Sequence, residues 1–321
     1  MATAEQIKML IQAHYDKNED RFKTILLQLA AYEAKNGHQA FARDIRELLE
    51  KSKKNSPKLS TFNRELNDLI VSDFSEKKII DLVVNQKIKS RIERILLEYW
   101  QRDKLKKYGL SNRRKILLAG QPGTGKTLTA SVLAGETQLP LCTIMMDKLV
   151  TKYMGETSVK LRQIFDFITE NPAVYLFDEF DTIGTERSLD NDVGEVRRIL
   201  NSFLQFLEQD NSQSVIVAAT NNPKLLDQAL FRRFDDVIHY TLPDESQIER
   251  LIKNRIGKYK SKNLSLTRIV ESAFQLSHAE IAKACDDAVK EAILLDLGSI
   301  DEEMIVRMLK ERIEAYKRGE A

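Results

Sequence analysis

Residues 115–127 read KILLAGQPGTGKT: a short apolar run, 116–119, opens into Gly120, Gln121, Pro122, Gly123, Thr124, Gly125, Lys126 and Thr127. G-x-x-x-x-G-K-T after a strand signal and before a helix signal is the P-loop pattern. Glycines without Cβ let successive backbone N–H groups curl round phosphates. The helix that follows, entered through Leu128, offers free amides and a dipole that favour anions. Lys126 is placed to reach the β- and γ-phosphates, and the Thr127 hydroxyl to ligate Mg²⁺. A second stretch, Val174-Tyr175-Leu176-Phe177-Asp178-Glu179, is an apolar strand ending in two acids. Beside a P-loop, Asp178 would hold the metal through water and Glu179 would polarise the attacking water.

The elements that must position these groups follow from periodicity. From about residue 62, strand and helix signals alternate, which predicts an α/β fold with a parallel sheet. The strand candidates are 116–119, 141–145, 173–177, 215–220 and 237–240. Acids at the carboxyl end of a parallel strand lie where ligands bind in open α/β sheets. Ile88, Ile92, Ile95, Leu96 and Tyr99 form the stripe of a helix that should end near Gly109. After Pro243 the strand signals stop. Helix starts at Ser277 with Glu280 and at Ser299 with Glu302 predict a helical lid. Residues 3–53 read as three helices, and 51–60 is a basic, Ser/Pro-containing linker without periodicity. The expected domains are a helical N-terminal module over 1–54 that docks a partner or substrate, a linker over 55–75, a P-loop core over 76–242 and a lid over 243–321.

Composition limits the function classes. The chain has 321 residues, 42% hydrophobic and 31% charged, with net charge +2 and two cysteines. That balance gives no strong push toward nucleic acid or an anionic membrane. Cys142 and Cys285 fit no zinc or CxxC spacing and suit a reducing compartment. No basic segment leads into an apolar one at the N-terminus, and no apolar run approaches the ~18 residues of a membrane span. A cytoplasmic protein is expected. His14, His38 and His239 form no HExxH or triad pattern and no GxSxG occurs, so protease or esterase chemistry of its own has no support.

From about residue 81 to 313 the chain resembles classical-type AAA ATPases of the AAA+ superfamily, and further stretches carry that likeness. Ala218-Ala219-Thr220-Asn221-Asn222-Pro223 resembles the sensor-1 segment, with Asn221 as the amide that contacts the γ-phosphate or lytic water. Leu230-Phe231-Arg232-Arg233-Phe234-Asp235 resembles the arginine-finger segment, which implies that Arg232 and Arg233 reach the neighbouring subunit's nucleotide. Lys152-Tyr153-Met154-Gly155-Glu156-Thr157 resembles the pore loop, with Tyr153 as the gripping aromatic between Lys152 and Met154. Asp190 to Arg198 resembles a second pore-facing loop leading into a helix with Glu195, Arg197 and Arg198. Ser277-His278-Ala279-Glu280-Ile281 resembles the Ser-Gly-Ala-Asp segment near adenine and ribose, which implies a nucleotide contact at Ala279. Two departures stand out: His278 replaces the glycine, and Gln121 stands where proline is usual.

The resemblance implies ATP and Mg²⁺ as cofactors, ATP hydrolysis, self-assembly into a ring, a hexamer, and a protein substrate. The layout also resembles, loosely, small bacterial AAA proteins paired with a subtilisin-like serine protease in plasmid and anti-phage systems, which implies such a protease as a partner. Two alternatives are an ATP-gated assembly scaffold and a DNA-handling AAA protein that threads no polypeptide. Near-neutral charge and the KYMGET loop count against the DNA-handling reading.

Overall fold

The computed structural model describes residues 8–9, 19–35, 38, 43–45, 66, 68–152, 156–181, 193–225, 228–261 and 264–317. Contacts divide the chain into two units, Met1–Ser60 and Thr61–Ala321. In the first, helix α1 (Glu19–Lys35) buries Leu29 and Ala30 with Ile45. His38 Nδ1 lies 2.6 Å from Glu33 Oε2, and that contact holds the Glu33 carboxyl below its usual range. Lys8–Met9 and 43–45 are helical. The rest of the first and third predicted helices, and the linker 51–60, lie outside the described residues.

The second unit is built on a six-stranded sheet. In chain order the strands are β1 (Ile70–Asp73), β2 (Lys115–Gly120), β3 (Leu141–Ile144), β4 (Val174–Phe177), β5 (Val215–Thr220) and β6 (Asp236–Tyr240). Their spatial order is β1-β3-β4-β5-β2-β6. The last five run parallel, as the alternating signals predict. Every residue of β4 and β5 is buried. Such continuous apolar runs suit strands covered on both faces. β1 lies antiparallel at the edge, inside the stretch read from sequence as linker. Only Ile70 of its four residues is buried, so it carries no alternating signal.

The helices of this core are α2 (Gln86–Trp100), α3 (Arg102–Lys107), α4 (Lys126–Thr137), α5 (Met146–Lys152), α6 (Thr157–Glu170), α7 (Val193–Gln209) and the short α8 (Gln228–Phe231). α2 buries Ile88, Ile92, Ile95, Leu96 and Tyr99, the stripe read from the sequence. It is capped by Asn85, whose side chain accepts from Ile88 N–H at 2.8 Å. α2 and α4 cover one face of the sheet. On the other, Phe165 of α6 and Phe203 of α7 pack against Phe177 and Phe180, with Phe203 ring centroids 5.0 Å and 4.6 Å from the latter two.

Four helices follow: α9 (Glu245–Ile256), α10 (Thr267–Ala273), α11 (His278–Leu294) and α12 (Glu302–Lys317). They share a core around Ile252, Ile269, Ile281, Cys285 and Ile305, to which Val83 also belongs. Asp244 and Ser277 cap α9 and α11 by accepting backbone hydrogens from Gln247 and Glu280.

Candidate functional site

Because β2 and β4 run parallel with β5 between them, the segments that follow Gly120, Phe177 and Thr220 all emerge at the carboxyl end of the sheet. The loop after β2 is folded by its own polar groups. Thr124 Oγ1 donates to the Gln121 carbonyl at 2.8 Å. Lys126 Nζ donates to the carbonyls of Gly120 at 2.8 Å and Gln121 at 2.9 Å, which sets the ammonium inside the curl of the loop. Burial pulls the Lys126 pKa down, while Asp178 and Asp181 oppose it. Gly123 has φ +73°, and a Cβ there would stand 2.4 Å from Ser277 Oγ and 3.1 Å from Ala279 Cβ. Its carbonyl accepts from the Ala279 N–H at 3.0 Å, so the start of α11 is bonded to the P-loop backbone.

The acids after β4 are pinned from both sides. Phe177 and Phe180 are fully buried, and the Phe180 N–H donates to the Ala219 carbonyl at 2.8 Å. Between them the chain must turn sharply, and Glu179 adopts φ +51°. A non-glycine residue in that region carries strain that surrounding packing must hold, as happens at functional sites. The Asp178 carboxylate accepts from the Thr127 hydroxyl at 2.8 Å through Oδ2 and from the Glu179 N–H at 2.9 Å through Oδ1. Asn221 follows β5 and donates its N–H to Asp181 Oδ1 at 3.2 Å.

A strap over 74–83 closes another side. Ile79 N–H donates to Glu136 Oε1 at 2.9 Å and Lys78 Nζ to the Gly135 carbonyl at 2.6 Å. Gly135 permits this approach, since a Cβ would lie 2.1 Å from the Lys77 carbonyl. Arg250 of α9 donates to the Leu82 carbonyl at 2.9 Å. P-loop, acids, strap and lid enclose a cavity of about 890 Å³. That is within the ~300–1,000 Å³ range of small-molecule sites. Pro122 to Leu128, Asp178, Glu179, Asn221, His278 and Ala279 all line it.

Comparison with known proteins agrees with this geometry. Residues 116–242 match the family described as "ATPase family associated with various cellular activities (AAA)". An uncharacterized AAA family ATPase, y4kL, of Sinorhizobium fredii is 32% identical over 99% of this chain and 97% of its own length. The chain belongs to the AAA ATPase family. It is accordingly an ATP hydrolase. A putative 26S proteasome regulatory subunit homolog of Methanothermobacter thermautotrophicus is 31% identical over 62% of this chain. An ATP-dependent zinc metalloprotease FtsH 2 of Thermoanaerobacter is 31% identical over 67% of it. The chain spans only 55% and 43% of those two proteins. The crystal structure of the FIGL-1 AAA domain superposes with TM-score 0.60 at 23% identity, over 81% of this chain and 92% of that one, a likeness of fold.

Within this AAA protein the remaining predicted residues fall elsewhere. Gly120 ends β2 behind the cavity lining. Arg232 and Arg233 lie just after α8 and do not line the cavity; Arg232 is exposed and Arg233 pairs with Glu208. The side chains of Lys152, Glu195 and Arg197, and all of Tyr153 and Met154, lie outside the described residues; Arg198 is exposed on α7. Motif reading missed the strap residues Lys77, Ile80, Asp81, Leu82 and Val83 and the α9 residues Leu251, Asn254 and Arg255. The spacing of Leu251, Asn254 and Arg255 on one helical face was a signal, but which partner that face meets is a tertiary fact. Among the described residues no cluster of three metal-ligating side chains occurs and no helix is long and apolar enough to cross a membrane.

Proposed function

We propose that the chain is a Mg²⁺-dependent ATPase that assembles head to tail into a ring, a hexamer, and uses hydrolysis to remodel or unfold protein substrates in the cytoplasm. The observation that carries the assembly is the place of Arg232 and Arg233: outside the lining of their own cavity, at the end of a short helix, with Arg232 open to solvent. A guanidinium from a second copy would complete the site and tie turnover to assembly.

The residues present fit the nucleotide. The cradle at Gly123 has no room for a Cβ, and the backbone N–H groups ahead of α4 favour phosphate. Lys126 exchanges its loop carbonyls for the β- and γ-phosphates. Thr127 Oγ1 and Asp178 Oδ2 are hard oxygens already in contact that would hold Mg²⁺, which when bound supplies charge neutralisation at the phosphates. Glu179 orients and deprotonates the attacking water, and the Asn221 amide contacts the γ-phosphate or that water. Lys152, Tyr153 and Met154 grip the substrate chain in the axial channel. The N-terminal unit docks a partner or substrate, and the sequence layout suggests a subtilisin-like serine protease as the partner.

Mixing experiments test this. Arg232→Ala/Arg233→Ala protein should bind ATP yet turn it over about 10³-fold more slowly, the usual scale for losing a finger. Glu179→Gln protein should be equally inert, and mixing the two should restore turnover, because each lends what the other lacks. A double-arginine variant that hydrolyses at full rate as a monomer rejects the ring. Tyr153→Ala should lose substrate remodelling and keep ATPase activity; equal loss of both points to a scaffold or a DNA-handling protein.

A further inference from the structure

Tyr240, the last residue of β6, is a tyrosine where its surroundings ask only for an apolar side chain. It sits in the core between the sheet and the helices α2 and α4, with Ile116, Ala130 and Leu133. A hydroxyl buried there is costly unless it is hydrogen-bonded. Its partner is the hydroxyl of the wholly buried Thr129, 2.5 Å away and one turn into α4. Burial raises the Tyr240 pKa, so the phenol keeps its proton.

The direction of the hydrogens follows from the next bond. Thr129 Oγ1 donates to the Gly125 carbonyl at 2.9 Å, and a carbonyl only accepts. The one hydrogen of the threonine hydroxyl is used there, so Tyr240 is the donor to Thr129. The Gly125 carbonyl also accepts the Thr129 N–H at 2.9 Å. Gly125 caps α4 at φ +102° and has no side chain to direct the turn. Two donors from Thr129 therefore hold this carbonyl along the helix. The peptide bond to Lys126 is planar and trans, so the Lys126 N–H points the opposite way, into the cavity that Gly125 and Lys126 line. Tyr240 also abuts the start of the loop, since a Cβ on its strand partner Gly120 would stand 2.5 Å from the Tyr240 carbonyl. One residue behind the loop thus holds its first glycine by backbone and its last by hydroxyl.

We infer that Tyr240 is a positioning residue for ATP hydrolysis, acting through Thr129 to aim the Lys126 N–H at the phosphates. The bond that breaks lies between the β- and γ-phosphates, and the β-phosphate oxygens take up the leaving group's charge. A fixed donor aimed there gains most as that charge develops. Ground-state binding is shared with the other loop amides and the Lys126 ammonium, so loss of the Tyr240 hydroxyl should fall on turnover. The inference rests on the reading of the cavity as a nucleotide site and extends it to a residue outside every motif.

Single-turnover ATP hydrolysis, ADP binding and melting without nucleotide test it, all on the full chain. Tyr240→Phe should hydrolyse about tenfold more slowly and bind ADP within about twofold of the unaltered protein. Thr129→Val should be at least as slow, and should melt lower because the Tyr240 hydroxyl is left buried and unpaired. With both partners apolar, Tyr240→Phe/Thr129→Val should melt higher than Thr129→Val yet turn over no faster. Thr129→Ser, which keeps the hydroxyl, should hydrolyse near the unaltered rate. Full turnover by Tyr240→Phe, or ADP affinity falling as far as turnover, overturns the inference. So does a double variant whose turnover rises with its melting temperature, since the contact would then be structural alone. An unaltered protein that binds no ADP rejects the nucleotide reading and the inference with it, an outcome distinct from binding with no effect of Tyr240→Phe.

Discussion

At the P-loop end of the cavity the contacts come mostly from one continuous loop, its backbone and the side chains of Thr124, Lys126 and Thr127. Across the cavity the lining comes from the strap, α9 and α11, which are far apart in sequence and meet through the core that Val83 shares with the lid helices. The first end is made by a local motif on a rigid sheet. The second is a convergence of side chains whose positions depend on how helices pack. Chemistry and affinity should therefore separate: changes at the sheet edge act on turnover, and changes along the lid seam act on binding.

Glu179→Gln should have the largest effect. Turnover should fall about 10²- to 10⁴-fold with loss of the proposed general base, while nucleotide affinity stays within a few-fold. Single-turnover hydrolysis beside equilibrium binding checks it, and an equal fall in both would erase the distinction between the ends. Gly123→Ala strikes the seam itself, because its Cβ meets Ser277 Oγ at 2.4 Å in a backbone conformation at φ +73°. Affinity should drop at least about tenfold, from strain of roughly 1 kcal/mol or more plus displacement of α11. Adding Ser277→Gly should recover part of that loss in a titration, since it removes the contact with Ser277 but neither the 3.1 Å approach to Ala279 Cβ nor the strain.

Smaller effects sharpen the contrast. Glu136→Ala removes the acceptor that holds Ile79 N–H. Affinity should fall by about one hydrogen bond's worth, roughly 1 kcal/mol, with turnover of bound ATP unchanged. The smallest is a pH effect within the lid. Burial pushes the Cys285 thiol up to about 12 from an ordinary 9.0. The folded lid thus holds that proton where the unfolded chain has lost it. The stabilisation is complete below pH 9 and fades as pH rises from 9 toward 12. Thermal melts of the unaltered protein and Cys285→Ala should converge across that window.

Legibility followed the same division. The P-loop, the two acids and the strands that carry them were readable because continuous apolar runs and fixed glycine spacing are local properties of the chain. The stripe at Ile88, Ile92, Ile95, Leu96 and Tyr99 was readable for the same reason. β1 was not, because three of its four residues are exposed and its partner β3 lies about 70 residues away, as Ile70 pairs with Ile144. Nor was the role of Glu136, which reads as an ordinary helical acid until Ile79 is seen on it.

By itself the sequence determined which chemical groups stand after β2 and β4, since the spacing of glycines, lysine and paired acids is a local property of the chain. It also determined the α/β class and the helical lid, through periodicity. Only the tertiary structure decided that β5 lies between β2 and β4, so that Asn221 joins Lys126 and Asp178. It alone decided that Arg232 and Arg233 stay outside their own cavity, and that Asp244, through Gln247, holds the His278 ring at the cavity lining. These are contacts between residues distant in the chain, and they exist only once packing of the sheet and lid cores has fixed where each side chain ends.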